Sequence, residues 1–304
     1  MESRKIIGFG KSSLVVSLPK EWIEKNALKK GDEIFFNLSG DELSLRKNVY
    51  ESKKPERTAI ISADDKSLSD IKRLICAKYI NNFNIIEIDG NNISAYSEGI
   101  KKYLRSFLVF EIVDENDNKI IAKDYLNLNT LTKNDIIRKM IWMIKSILQD
   151  CNENMAKNYE SLMSRDAQIN KYYYLMQRYS RFEIENHFIK YSYSRFIEYL
   201  NFALFLKRVG DDLKRIITEI YLNNIDVKQN IPLNLLLKES LDYFINMSDI
   251  LLKNDAVSFI KHAKNREKCL NLIEESKVEK VYKLMFTDLI KDIHRATLTI
   301  LNDA

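Results

Sequence analysis

Residues 8–32 read GFGKSSLVVSLPKEWIEKNALKKGD, placing a Gly-Lys-Ser-Ser turn, an apolar strand, a proline-led amphipathic segment and a Gly-Asp turn in one short stretch. Gly10-Lys11-Ser12 invites comparison with a phosphate loop, which ends in Gly-Lys-Ser/Thr and cradles phosphates on successive backbone N–H groups. That comparison fails at two places. A phosphate loop carries a glycine where this chain has Lys5, and a helix where it has Leu14-Val15-Val16-Ser17-Leu18, a run that reads as a strand. A dinucleotide fingerprint fails because Ser13 stands in place of its third glycine. Pro19 suits the first turn of a short helix, where its missing N–H has no partner to lose. Trp22, Ile23 and Leu28 then give that helix an apolar face. Gly31-Asp32 turns the chain into a strand over 33–38, and Ser39-Gly40-Asp41 makes a hairpin to a closing strand ending at Arg46. The resulting ββαββ order, in about 45 residues, is too small to bury a sufficient core alone. Two copies are expected to interleave.

Outward from this stretch, composition bounds the rest. The chain has 304 residues, 45% hydrophobic and 30% charged, an ordinary soluble balance with room for two or three domains. Seven glycines and three prolines point to long helices. A net charge of +5 permits nucleic-acid contact without requiring it. Cys76, Cys151 and Cys269 lie far apart without C-x-x-C spacing, which argues against a disulfide framework or zinc site and fits a reducing cytoplasm. No apolar run nears the ~18 residues of a membrane span, and no signal-peptide pattern follows Met1. A cytoplasmic protein without membrane insertion is expected.

Residues 51–57 form a polar, proline-containing connector. Beyond it, 58–62 and 84–88 read as strands, Ser67 caps a helix through Ile71, Ile75 and Tyr79, and 97–107 reads as a second helix. A hairpin of 109–113 and 119–123 about the 114–118 turn completes a βαβαββ module of regulatory or spacer type. Asp64-Asp65 and Asp114-Glu115 read as turn and cap acids, and no catalytic constellation is visible.

From about Leu131 the pattern is helical. Ile137, Met140, Ile141, Ile144, Leu148, Cys151 and Met155 form one stripe, followed by helices over 164–188 and 196–220, one started by Pro232, a shorter one over 265–275, and a last one over 278–301. Six antiparallel helices make a bundle. Leu204-Phe205-x-Lys207-x-x-x-Asp211 aligns with Met285-Phe286-x-Asp288-x-x-x-Asp292 on the third and sixth helices, the trace of an internal repeat.

Arg4, Gly10-Lys11-Ser12-Ser13, Val16 to Trp22, Leu28 to Asp32 and Glu42 to Arg46 resemble the swapped-hairpin DNA-binding half-domain of the SpoVT/AbrB family. Phe205 to Asp212 and Asp166 to Tyr174 resemble segments of the PhoU family, whose two three-helix repeats carry a Glu/Asp-x-x-x-Asp motif. Together the layout resembles archaeal PhoU-like phosphate uptake regulators. The resemblance implies a multidomain α+β chain: a half-barrel at 1–50, a small α/β module at 57–126 and a six-helix bundle at 131–304. It further implies a dimeric, DNA-binding transcriptional regulator that negatively controls phosphate uptake, or, in the other reading, an adaptor that docks its bundle on a phosphate-transporter ATPase or sensor kinase without binding DNA.

For DNA, Arg4, Lys5, Lys11 and Arg46 of two chains supply cations while Ser12 and Ser13 donate to phosphates; the alternative is a solvated edge on a barrel that only dimerises. For the bundle, acids four apart share a helix face, so Asp211, Asp288 and Asp292 are candidate ligands for divalent or transition metal ions. Lys207 stands where the motif has an acid and Asn170 where it has an aspartate, and Lys207 equally suits an ion pair with Asp211. The aromatics of 172–199 read as interhelix packing, and His187, His262 and His294 as surface or cap residues without catalytic or zinc spacing. No nucleophile elbow, cofactor loop or catalytic triad order is present, so a non-enzyme is expected.

Overall fold

The computed structural model describes residues 3–39, 42–47, 56–91, 93–185, 193–253 and 256–299. It divides into two compact units, Met1–Pro55 and Glu56–Ala304.

In the first unit, β1 (Ile7–Phe9) and β2 (Ser13–Val15) pair antiparallel with Phe9 opposite Ser13, leaving Gly10-Lys11-Ser12 as the turn. Gly10 takes φ +73°, which other residues adopt only with strain. Pro19 sits just before α1 (Lys20–Lys25), and its carbonyl accepts the N–H groups of Trp22 and Ile23, both at 3.1 Å. At the following turn the Asp32 carboxylate accepts the Lys29 N–H at 2.8 Å. β3 (Phe35–Ser39) and β4 (Glu42–Arg46) form the second hairpin; its expected turn at Gly40-Asp41 lies outside the described residues, as do 48–55. Lys47 Nζ donates to the Asn26 carbonyl at 2.6 Å and ties the end of this hairpin to α1.

The second unit opens with a four-stranded sheet in the order β5-β6-β8-β7: β5 (Thr58–Ser62), β6 (Ile85–Asp89), β7 (Phe110–Asn116) and β8 (Lys119–Asp124). β5 and β6 run parallel, joined by α2 (Leu68–Ile80), as the helical crossover requires. Ser67 caps α2 by accepting the Asp70 N–H. Two elements differ in extent from the sequence reading. The second helix, α3 (Ile93–Leu104), starts earlier because Ile93, Ile100 and Leu104 share its buried face. β7 runs on through Asp114-Glu115-Asn116, residues expected to turn, and reverses only at Asp117-Asn118. Ser97 and Lys101 of α3 hold the Glu115 carboxylate at 3.0 and 2.9 Å, and a bulge between Ile112 and Asp114 adjusts the ladder.

The helical part holds α4 (Lys133–Glu185), α5 (Tyr193–Leu222), α6 (Ile231–Lys253), α7 (Ala256–Glu275) and α8 (Lys280–Leu298). α4 takes in both of the first two helices read from the sequence, without an intervening loop. A straight helix of its 53 residues would be about 80 Å long, yet Lys133 Nζ lies 2.9 Å from Glu183 Oε2 and Arg165 Nη1 lies 2.6 Å from Ser146 Oγ. Asp150 and Arg165 are themselves ion-paired, so the helical chain doubles back between them into two antiparallel arms. With five assigned helices in place of six, there are still two groups of three rods: the α4 arms with α5, and α6 with α7 and α8. α5 packs on α8 and α4 on α6, around one core that includes Met140, Leu175, Leu206, Phe244 and Phe286. α7 begins nine residues before its expected start at 265.

The α/β module is fastened to the second arm of α4. Arg178, 1% exposed, donates to Asp124 at 2.6 Å and to the carbonyls of Tyr79 and Phe83 at 2.6 and 3.0 Å. Its guanidinium also lies 4.6 Å from the Tyr79 ring centre. Among the described residues no helix is long and apolar enough to cross a membrane.

Candidate nucleic-acid interface and the acidic seam

The first unit positions its candidate DNA contacts by strand pairing. Lys11 and Ser12 occupy the β1–β2 turn and Ser13 opens β2, so these three stand together at one end of the hairpin. Arg4 and Lys5 precede β1, toward the opposite end. All five are exposed, and Lys5 and Lys11 have no carboxylate partner among the described residues. Arg46 is the last residue of β4, opposite Phe35. A single hairpin thus does not bring Arg4 and Lys5 beside Lys11.

None of the side chains described in this unit is buried. Phe9 is 70% exposed, Leu14 75%, Phe36 66% and Leu38 77%. Two hairpins and a six-residue helix that leave such side chains in water have no core of their own, and an apolar surface of this kind marks an interaction site.

In the second unit, the acids singled out from the sequence fall on one seam between α5 and α8, joined by Asp166 of α4. Each has a cation of the chain itself. Lys207 pairs with Asp211. Arg215 bridges Asp212 at 2.8 Å and Asp288 at 3.1 Å across the two helices. Arg295 holds Asp292 at 2.7 Å and Lys214 holds Asp166 at 3.0 Å. Asn170 donates to the Asp166 carbonyl at 3.2 Å and offers no charge. Among the described residues no group of three or more His, Cys, Asp or Glu is placed to hold a metal ion. A metal here would have to displace Lys207, Arg215 and Arg295.

Asp166 and Asp292 are buried in the seam, and so is Asp212, missed by the sequence reading. Burial pushes its carboxyl up to about 7, the acids Asp292, Asp288 and Asp211 push the same way, and Arg215 opposes them. Gly210 lets α5 approach α4 here: a Cβ would meet Ile169 Cδ1 at 3.1 Å.

The histidines are a correction. His262 is 1% exposed, stacked on Tyr243 with ring centres 4.0 Å apart, its Nε2 3.0 Å from Thr297 Oγ1. His294 Nδ1 lies 3.3 Å from the Tyr243 hydroxyl. Burial lowers the His262 imidazole to about 4, with His294 adding to the effect. Because the cluster is assembled from α6, α7 and α8, no local spacing announces it. His187 lies outside the described residues.

The family model described as "Antidote-toxin recognition MazE, bacterial antitoxin" matches residues 9–53. The match supports, at a coarse level, a DNA-binding and oligomerising domain of MazE/AbrB type at the N-terminus. No curated protein and no solved structure matches the chain.

Proposed function

We propose that the protein is a dimeric transcriptional regulator in which two N-terminal units interleave their hairpins into one barrel and present Arg4, Lys5, Lys11 and Arg46 of both chains to the DNA backbone. The observation that carries this reading is the coincidence of the match over 9–53 with a unit in which none of the described side chains is buried. Interleaving covers Phe9, Leu14, Phe36 and Leu38, and brings together basic residues that one hairpin keeps apart. Ser12 and Ser13 hydroxyls then complete the phosphate contacts.

The role in phosphate homeostasis, as a negative regulator of uptake, rests on the resemblance of 131–304 to PhoU. The two groups of three rods favour it, as does Arg215, which links the aligned acidic segments of α5 and α8. In this reading the bundle is a sensing or interaction domain without catalytic activity. Chromatin occupancy mapping with the full chain tests it: enrichment at promoters of phosphate-uptake genes in phosphate-replete cells is expected. Co-purification with a transporter ATPase or sensor kinase, and no promoter enrichment, would favour the adaptor reading instead.

A further inference from the structure

A cleft of about 470 Å³ opens between the second arm of α4 and the first turns of α5, within the size range of small-molecule sites. Its apolar wall includes Ile184, Phe196 and Leu200, and its polar side is made by Tyr173, Gln177, Ser180, Arg181 and the Glu185 carboxylate, which Arg57 pairs. The polar side is unusual for a helix surface. Ser180 is 2% exposed, and its hydroxyl has no hydrogen-bond partner. A serine inside a helix ordinarily satisfies itself on the carbonyl four residues back, and an orphaned buried hydroxyl is costly. Arg181 donates to the Asn81 side-chain oxygen but has no carboxylate partner among the described residues, although Glu185 lies one turn on. That acid is taken by Arg57, at 3.4 Å.

We propose that this cleft binds a small organic carboxylate with an aromatic or branched apolar body. The carboxylate is paired by the uncompensated Arg181 guanidinium, whose planar fork matches it. Gln177 donates a further hydrogen bond, Ser180 adds another once its buried hydroxyl turns toward the cleft, and the apolar body lies against Phe196, Leu200 and Ile184. A bare inorganic anion leaves that wall wet, and a neutral apolar molecule leaves Arg181 unpaired, so the site selects for both properties in one molecule. Binding would draw Arg181 from Asn81, which belongs to the α/β module, so occupancy is reported where the module meets α4.

The test is calorimetric titration of the full chain with 3-phenylpropionate, 4-methylpentanoate, 3-phenylpropanol and inorganic phosphate. Saturable one-site binding of both carboxylates is expected, with the alcohol and phosphate at least tenfold weaker. Arg181→Gln, at an exposed position, should weaken the carboxylates about tenfold or more and leave the alcohol unchanged. Leu200→Trp should abolish binding by filling the cleft, with unchanged far-UV dichroism showing that the bundle is intact. Phosphate binding as tightly as phenylpropionate, carboxylate affinity unmoved in Arg181→Gln, or no saturation with either carboxylate would each overturn the proposal.

Discussion

Replacing Arg178 by methionine is expected to loosen the α/β module from the helical part. The native side chain satisfies three oxygens at once: the buried Asp124 carboxylate and Tyr79 carbonyl, and the half-buried carbonyl of Phe83. Removing one partner of a buried ion pair costs about 3–5 kcal/mol, because the other charge stays buried and unpaired. Each carbonyl left without a donor adds about 1–3 kcal/mol where water cannot reach it. Water entering the gap returns part of this, so about 4 kcal/mol is the expected loss. The Asp124 carboxyl, already raised by burial and held down by Arg178, responds by taking up a proton at higher pH than in the native chain. Urea unfolding followed by far-UV dichroism should show a midpoint lowered by about 1–2 M for a slope of ~2–3 kcal/mol per M. Hydrogen exchange should localise the loss to α2, β6 and the second arm of α4. Arg73→Ala is the control, since its pair with Asp70 is three residues apart and exposed; such pairs contribute about 0–1 kcal/mol. An Arg178→Met protein within about 1 kcal/mol of the native one, with unchanged exchange in α2, would refute the reasoning.

Other expectations follow from the seam, the histidine cluster and the apolar N-terminal surface. An unfolded aspartate titrates near ~3.9, whereas Asp212 does so at about 7. Between those values the folded chain holds a proton that the unfolded chain has lost, so stability falls as pH rises across that window. Asp212→Asn should therefore stabilise by about 1–3 kcal/mol at pH 8 and by little at pH 4; equal effects in melts at the two pH values would contradict the burial of this acid. His262 acts in the opposite direction. Its folded value of about 4 lies below the ordinary 6.5, so its contribution is intact above 6.5 and is lost as pH falls toward 4. His262→Phe, which keeps the ring stack on Tyr243, should flatten that acid limb, and an unchanged limb would place the cause elsewhere. Leu14→Glu combined with Leu38→Glu should turn a sedimenting dimer into a monomer; a dimer that persists would move the interface away from the first unit.

Much of this was legible because it was local. Ser67 as a cap, Gly10 at a left-handed turn and the Lys207–Asp211 pair each depend on residues within four positions. What stayed hidden depends on distant partners. Arg178 reads as one more basic residue on a helix, and its ligands lie 54, 95 and 99 residues away. Asp212, one position beyond the aligned motif, is the acid that α8 covers. His262 looks like a surface histidine on a polar helix until α6 and α8 close over it. The reach of β7 through Asp114-Glu115 was hidden for the same reason: turn-forming residues are kept extended by Ser97 and Lys101 from α3. The reversal within α4 was legible only as the end of the Ile137–Met155 stripe before the next helix at 164, since no glycine or proline marks it.

Fluorescence anisotropy of the full chain with a labelled duplex, repeated across a range of salt, bears most directly on the N-terminal unit as a DNA-binding half-barrel. Binding should weaken steeply with salt, with log K falling by about 0.9 per log unit of salt for each phosphate contact. Lys11→Ala, which removes one contact from each of two chains, should reduce that slope by about 1.8. Absence of binding to any duplex at low salt, or a slope unaffected by Lys11→Ala, would contradict the account.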